Sequence, residues 1–175
     1  MVIRLAKEAD LNAVEAIYDA LHTLEEAKAI KTGWIRHVYP TRKTAEAALL
    51  LGTLYVLQDE GVIRAAAKID QEQPESYARA HWTLPAEAQE VLVLHTLVVD
   101  PAIARKGYGK AFVAFYEQEA KRRGCRVLRI DTNEKNAPAR RLYAALGYRE
   151  GGAVPCGFNG IPDVNLVCLE KAVEA

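Results

Sequence analysis

The chain has 175 residues, half of them hydrophobic, with 23 Lys and Arg against 23 Asp and Glu. That length suits one domain over residues 1–175 with a substantial core, and is short for two. A formal net charge of zero gives no reason to expect nucleic acid or a membrane surface as partner, although a local anion site needs only a few placed groups.

Charges interrupt the N-terminal stretch MVIRLAKEADLNAVEAIYDAL at once, which is not the layout of a signal peptide. No apolar run approaches the roughly 18 residues needed to cross a bilayer. Cys125, Cys156 and Cys168 lack CxxC spacing, and their odd number argues against a closed disulfide framework. Reduced, mostly buried thiols in a cytoplasmic protein are expected, with no metal.

In chain order, residues 2–6 read as a strand. Asp10 stands where it can cap a helix that carries Leu11, Val14, Ile17, Tyr18 and Leu21 on one face. The stretch 25–40 is irregular. Thr41 can cap a second helix, RKTAEAALLL, closed by Gly52. TLYVLQ and VIRAAAKI flank Asp59-Glu60-Gly61, a hairpin signature. A polar segment, 70–90, leads to VLVLHTLVV at 91–99, a continuous apolar run that fits a central strand buried on both faces. Next come a helix from near Gly107 to Gly124, a strand at 126–132 and a helix from about Asn136 to Leu146. A short strand near Tyr148 and a last strand at 164–171 complete the chain. Helices interspersed with a mixed sheet predict an α/β or α+β fold.

The segment ARKGYGK at 104–110 opens the third helix. The first turn of a helix leaves about four N–H groups unpaired, and these attract an anion together with the macrodipole. Gly107 and Gly109 bare the backbone, while Arg105, Lys106 and Lys110 add positive charge, so a phosphate or pyrophosphate ligand fits. Two familiar phosphate loops do not. The Walker pattern needs four residues between its first Gly and Gly-Lys, where this chain has one. The dinucleotide fingerprint needs a third glycine where Phe112 stands.

The unit NAPARRLYAALGY at 136–148 resembles the second signature of the GNAT acetyltransferase family, through Asn136, Ala139, Leu142, Tyr143, Gly147 and Tyr148. LVVDP followed by the glycine turn and a long helix resembles the first. One departure stands out: the usual Arg or Gln position holds Ala104, and Arg105 comes one residue late.

The resemblance implies a single GNAT-like domain with a mixed, mostly antiparallel sheet, flanked by helices, whose parallel strands 4 and 5 splay apart. It implies acetyl-CoA as co-substrate and an amine as acceptor. The pyrophosphate would meet backbone N–H groups of Arg105, Lys106, Gly107, Tyr108, Gly109 and Lys110. The pantetheine arm would pair with Leu97, Val98 and Val99 and touch Asn136. Tyr143, whose phenol keeps its proton at neutral pH, would protonate the leaving thiolate. Some family members use a Glu on strand 4 as base, but Val93 aligns there. His95 resembles the histidine of arylalkylamine acetyltransferases and suits the role. Without the resemblance, Tyr143 reads as a core residue, since Ala139, Leu142, Tyr143 and Leu146 follow helical spacing, and His95 reads equally as a satisfied core histidine.

Acceptor choice would fall to 31–40, Tyr77–Trp82 and 156–163, where Trp34, Tyr39, Trp82 and Phe158 are candidates for an aromatic pocket. The expected acceptor is a primary amine of a small molecule or an amino-acid-like compound. Alternatives are a protein N-terminus or lysine, a catalytically silent acyl-CoA sensor, and an unrelated nucleotide-phosphate binder. A monomer and a homodimer are both compatible with the sequence.

Overall fold

A computed structural model describes residues 1–103 and 106–174. Strands β1 (Val2–Leu5), β2 (Leu54–Asp59), β3 (Val62–Asp70), β4 (Val91–Val99), β5 (Val127–Asn133), β6 (Arg149–Phe158) and β7 (Ile161–Ala172) form one sheet. Their spatial order is β1-β2-β3-β4-β5-β7-β6. Neighbours run antiparallel except β4 and β5.

Four helices cover the sheet: α1 (Leu11–Glu26), α2 (Arg42–Leu50), α3 (Tyr108–Arg123) and α4 (Ala137–Ala145). Phe112, Val113 and Tyr116 of α3 and Tyr143 of α4 bury against Leu92, Leu94, Leu128 and Ile130. On the opposite face, Val14, Ile17 and Tyr18 of α1 meet Ala45 and Ala48 of α2 over Val56, Ala66 and Val98. A third apolar cluster joins Tyr77 to Val91, Val93, Val127 and Leu166. Burial of β4 on both faces is what its unbroken apolar sequence requires. Among the described residues no helix is long and apolar enough to cross a membrane. Cys125 and Cys168 are buried and Cys156 half-buried, all as free thiols.

Several boundaries depart from the sequence expectation. The strand expected near Tyr148 is ten residues long, and β7 starts at Ile161. Residues 156–163, expected as a loop, are therefore mostly paired strand around a tight turn at Asn159 and Gly160, both at positive φ. Gly and Pro at 151, 152, 155 and 157 hide that strand from an apolar pattern, because its pairing runs through backbone bulges. Asp10 is not a side-chain cap. Its carboxylate accepts from Arg4 at 2.7 and 3.0 Å and from the Lys7 N–H at 2.7 Å, which ties β1 to the start of α1.

A candidate site in the β4–β5 splay

The parallel pairing of β4 with β5 begins at Val91↔Val127 and ends at Leu94↔Ile130. Beyond it β5 continues with β7 as far as Asn133↔Leu166, while β4 continues with β3. The two central strands thus part, and the β5-facing flank of 95–99 has no strand partner. Buried backbone groups need partners, so such a flank suits an extended, amide-bearing ligand.

Two features hold the strands in this arrangement. The first is a bulge. Lys68 pairs with His95 and Ala66 with Val98, so Thr96 and Leu97 together oppose Ala67. Thr96 takes φ of 52° to achieve this. The extra residue resets the alternation of β4. Leu92 and Leu94 face the α3 core before the bulge, and Leu97 and Val99 face it afterwards. The second is Tyr116, which is fully buried. Its hydroxyl donates to the Leu92 carbonyl at 2.6 Å and accepts from the Arg129 N–H at 3.1 Å. A phenol from α3 thus braces both strands just before they diverge.

A cavity of about 300 Å³ follows the splay. Leu97, Val98 and Val99 line it from β4, Gly109 from α3, Asn133 from β5, and Asn136, Ala139, Leu142 and Tyr143 from the α4 region. Gly107 caps α3 at φ of 81°, ψ of 7°, a left-handed conformation that favours glycine. Gly109 matters for space: a Cβ there would lie 3.4 Å from Leu142 Cδ2 and 3.8 Å from Val99 Cγ2. Asn136 caps α4 by accepting from the Ala139 N–H at 3.3 Å. Tyr143 is buried, edge-on to Tyr148, and burial raises its phenol well above the ordinary range. Among the described residues its hydroxyl has no hydrogen-bond partner.

The stretch between α1 and α2 roofs this cavity with Thr32, Gly33 and Trp34. Glu25, in the last turn of α1, holds that roof. Its carboxylate accepts from the Thr32 N–H at 2.6 Å, the Thr32 hydroxyl at 2.7 Å and the Gly33 N–H at 3.1 Å. Gly33 sits at φ of 77°, where a side chain is strained, and a Cβ there would come within 2.3 Å of Asn133 Nδ2 and force that amide to shift.

The model of the Acetyltransferase (GNAT) family matches residues 14–148. The chain belongs to the GNAT acetyltransferase family. An uncharacterized N-acetyltransferase of Methanocaldococcus jannaschii is 31% identical over 70 residues, covering 40% of this chain and 31% of the relative. The match thus spans about a third of that relative's length. The fold resembles a GNAT acetyltransferase of Streptococcus agalactiae with a TM-score of 0.84 and 22% identity, covering 99% and 96% of the two chains. It also resembles a Salmonella typhimurium protein whose structure holds its cofactor acetyl-CoA. There the TM-score is 0.67, the identity 22%, and the coverage 99% and 94%.

Within this GNAT frame, a second cavity of about 480 Å³ opens on the other side of the bulge. Tyr18, Ala47, Ala48, Leu51 and Pro74 give it apolar walls, and Lys68, Glu72, His95 and Asp131 give it charge. Tyr39, Thr96, Asp131 and Phe158 line both cavities. His95 Nε2 lies 3.1 Å from Asp70 Oδ1. With Asp70 ionised, Nε2 carries the hydrogen and Nδ1 is left as the acceptor. Burial works against ionisation of Asp70, but His95 and Lys68 outweigh it and hold the carboxyl below its ordinary range.

The splay and its two cavities draw together most of the residues singled out in the sequence. Trp34 and Tyr39 meet edge-on at 6.1 Å. The Tyr39 hydroxyl contacts Thr96 Oγ1, and burial pushes its phenol up to about 12. Trp82 is elsewhere: its indole donates to the Tyr77 carbonyl at 2.8 Å, and Arg129 stacks on its ring at 4.1 Å. An aromatic residue in a polar segment carries no sign of which face it will join. Tyr108 turns its side chain away, donating to Asp59 at 2.8 Å, so only its backbone is offered at the start of α3. Lys106 and Lys110 are exposed there. Arg105 and Ala104 lie outside the described residues.

Asp131 was missed. Sequence spacing gave it no partner, yet the Tyr77 hydroxyl, 54 residues away, donates to its Oδ2 at 2.8 Å. Burial lifts its carboxyl above the ordinary range, opposed by His95 and by the Tyr77 bond.

Proposed function

We propose that this protein is an acetyl-CoA-dependent N-acetyltransferase acting on a primary amine. The observation that carries this reading is the unpaired flank of β4 beyond Leu94, opening on a cavity with the start of α3 at one end and Tyr143 in its wall. Acetyl-CoA supplies the acetyl group as a thioester. The residues present fit such a donor: the bare backbone at Gly109 admits a close approach, and the open strand edge can pair with amides of the arm. Backbone N–H groups at the start of α3 suit its pyrophosphate.

The chain's own groups then divide the proton work. An alkylammonium, with an ordinary pKa of about 10, must lose a proton before its nitrogen can attack. Nδ1 of His95 is the acceptor, with Asp70 fixing the ring. N–H groups along the open strand edge stabilise negative charge on the acyl oxygen. As the new C–N bond forms and the C–S bond breaks, Tyr143 donates its hydrogen to the departing sulfur. Its raised pKa keeps the phenol a donor across the neutral range.

Calorimetry with acetyl-CoA, followed by thiol release against a panel of amines, tests the proposal. Micromolar binding and amine-dependent release are expected. Binding with no release above hydrolysis for any amine would make the protein an acyl-CoA sensor, and no binding would remove the donor assignment.

A further inference from the structure

Resting on that reading, we propose that the second cavity is the acceptor site, that Asp131 holds the acceptor's ammonium, and that the acceptor is an apolar amine without a carboxylate.

The two cavities share a wall made by Tyr39, Thr96, Asp131 and Phe158. A group passing from a donor in the splay to an acceptor in the second cavity must cross there. Asp131 is the one charged residue in that wall. Tyr77 fixes one carboxylate oxygen, and the carboxylate keeps further acceptor capacity. A cation beside a carboxylate favours its charged form, so the ammonium meets a partner that is both oriented and responsive. His95 lines the same cavity, which puts an acceptor for the ammonium's proton within the same enclosure.

The remaining lining decides what the amine can carry. Among the described residues Lys68 is the only Lys or Arg in the lining. It is already engaged by Asp70 at 2.9 Å and Glu72 at 2.5 Å. A carboxylate on the acceptor would find no free cation and would face Glu72 and Asp131. A buried unpaired charge is costly, so such acceptors are rejected. Tyr18, Ala47, Ala48, Leu51, Leu54 and Phe158 instead suit a hydrocarbon or aromatic body. This reading replaces the amino-acid-like acceptor by its decarboxylated counterpart.

Three probes isolate the carboxylate: 2-phenylethylamine, phenylalaninamide and phenylalanine, titrated into the protein with CoA present and then assayed with acetyl-CoA. The first two should bind, and phenylalanine should bind at least tenfold more weakly than either. Asp131→Asn should weaken 2-phenylethylamine at least tenfold and CoA by much less, and Asp131→Glu should restore part of the amine loss. Equal binding of phenylalanine, no binding of 2-phenylethylamine, or an unchanged amine affinity in Asp131→Asn overturns the inference. Because binding is read apart from turnover, these results stand whether or not acetyl transfer is observed. Loss of CoA binding in the wild type would instead sink the transferase reading.

Discussion

The two cavities on either side of the β4 bulge are built in opposite ways. The cavity along the splay draws on the end of β4, the start of α3 and the β5–α4 connection, which lie close together in sequence and carry glycine, asparagine and tyrosine at fixed spacings. The rest of its lining comes from far away: Leu21 and the α1–α2 stretch form its roof, and Phe158, Ile161, Val164 and Leu166 of the β6–β7 hairpin complete it. The second cavity gathers one to four residues each from α1, the α1–α2 stretch, α2 with its C-terminal end, β2, β3, the β3–β4 connection, β4, β5 and the tip of the β6–β7 hairpin. A site made by backbone geometry leaves a motif, because glycines and caps must fall at set positions. A site made by side chains converging from nine segments leaves none.

The sharpest way to break this comparison is at Tyr143, the donor-side group with no hydrogen-bond partner among the described residues. Tyr143→Phe keeps the ring and its contact with Tyr148, so turnover should fall about 10²-fold with acetyl-CoA affinity nearly unchanged. Full turnover with chemistry rate-limiting would reduce the phenol to packing.

Tyr116 tests whether the splay needs its brace. Tyr116→Phe leaves the Leu92 carbonyl and the Arg129 N–H without their hydroxyl partner, at a cost of about 1–3 kcal/mol. Chemical denaturation should show that loss, and acetyl-CoA binding should weaken with it. An unchanged midpoint would mean the strands part without the brace.

A smaller effect is expected at the start of α3. Gly109→Asp brings bulk against Leu142 and negative charge where phosphates are proposed. Acetyl-CoA should bind more than tenfold more weakly, a change of about 1.4 kcal/mol, while amine affinity is spared. Equal loss of both ligands would show that the two cavities are not separable.

Asp70 gives the smallest effect, confined to the other side. Asp70→Asn should reduce kcat/KM for the amine severalfold by freeing the His95 ring, with no change in acetyl-CoA affinity. The pH dependence follows from its lowered carboxyl. The pairing with His95 and Lys68 contributes stability in full above the ordinary aspartate range, about 3.9, and loses it only as pH falls through the lowered value. Acid unfolding of the wild type should therefore be steeper below that range than in the variant. Parallel curves would mean that the pair adds nothing to stability.

Much of the fold was legible because its elements satisfy local rules. The Glu60-Gly61 turn takes positive φ at both residues, as a two-residue hairpin requires. Asn136 and Thr41 stand at helix starts; the Thr41 N–H donates to Thr44 Oγ1 at 3.0 Å. The β6–β7 hairpin was under-read because its strands pair through bulges rather than by clean alternation. The four aromatic candidates divided for the same kind of reason: Trp34, Tyr39 and Phe158 reach the cavities, while Trp82 is claimed by Arg129 on another face.

By itself, then, the sequence determined the order of elements, the glycine turn at 107–109 and the α4 unit with Tyr143, since each depends on neighbours within a few residues. Only the tertiary structure decided the bulge at Thr96, the brace at Tyr116, the Glu25 clamp on the 32–33 roof and the place of Asp131. Tyr77 and Asp131 stand 54 positions apart, Tyr116 and Leu92 24, and even the Glu25 clamp reaches seven positions, beyond a helical turn. No local periodicity can encode a hydrogen bond whose partner is chosen by how the sheet is closed.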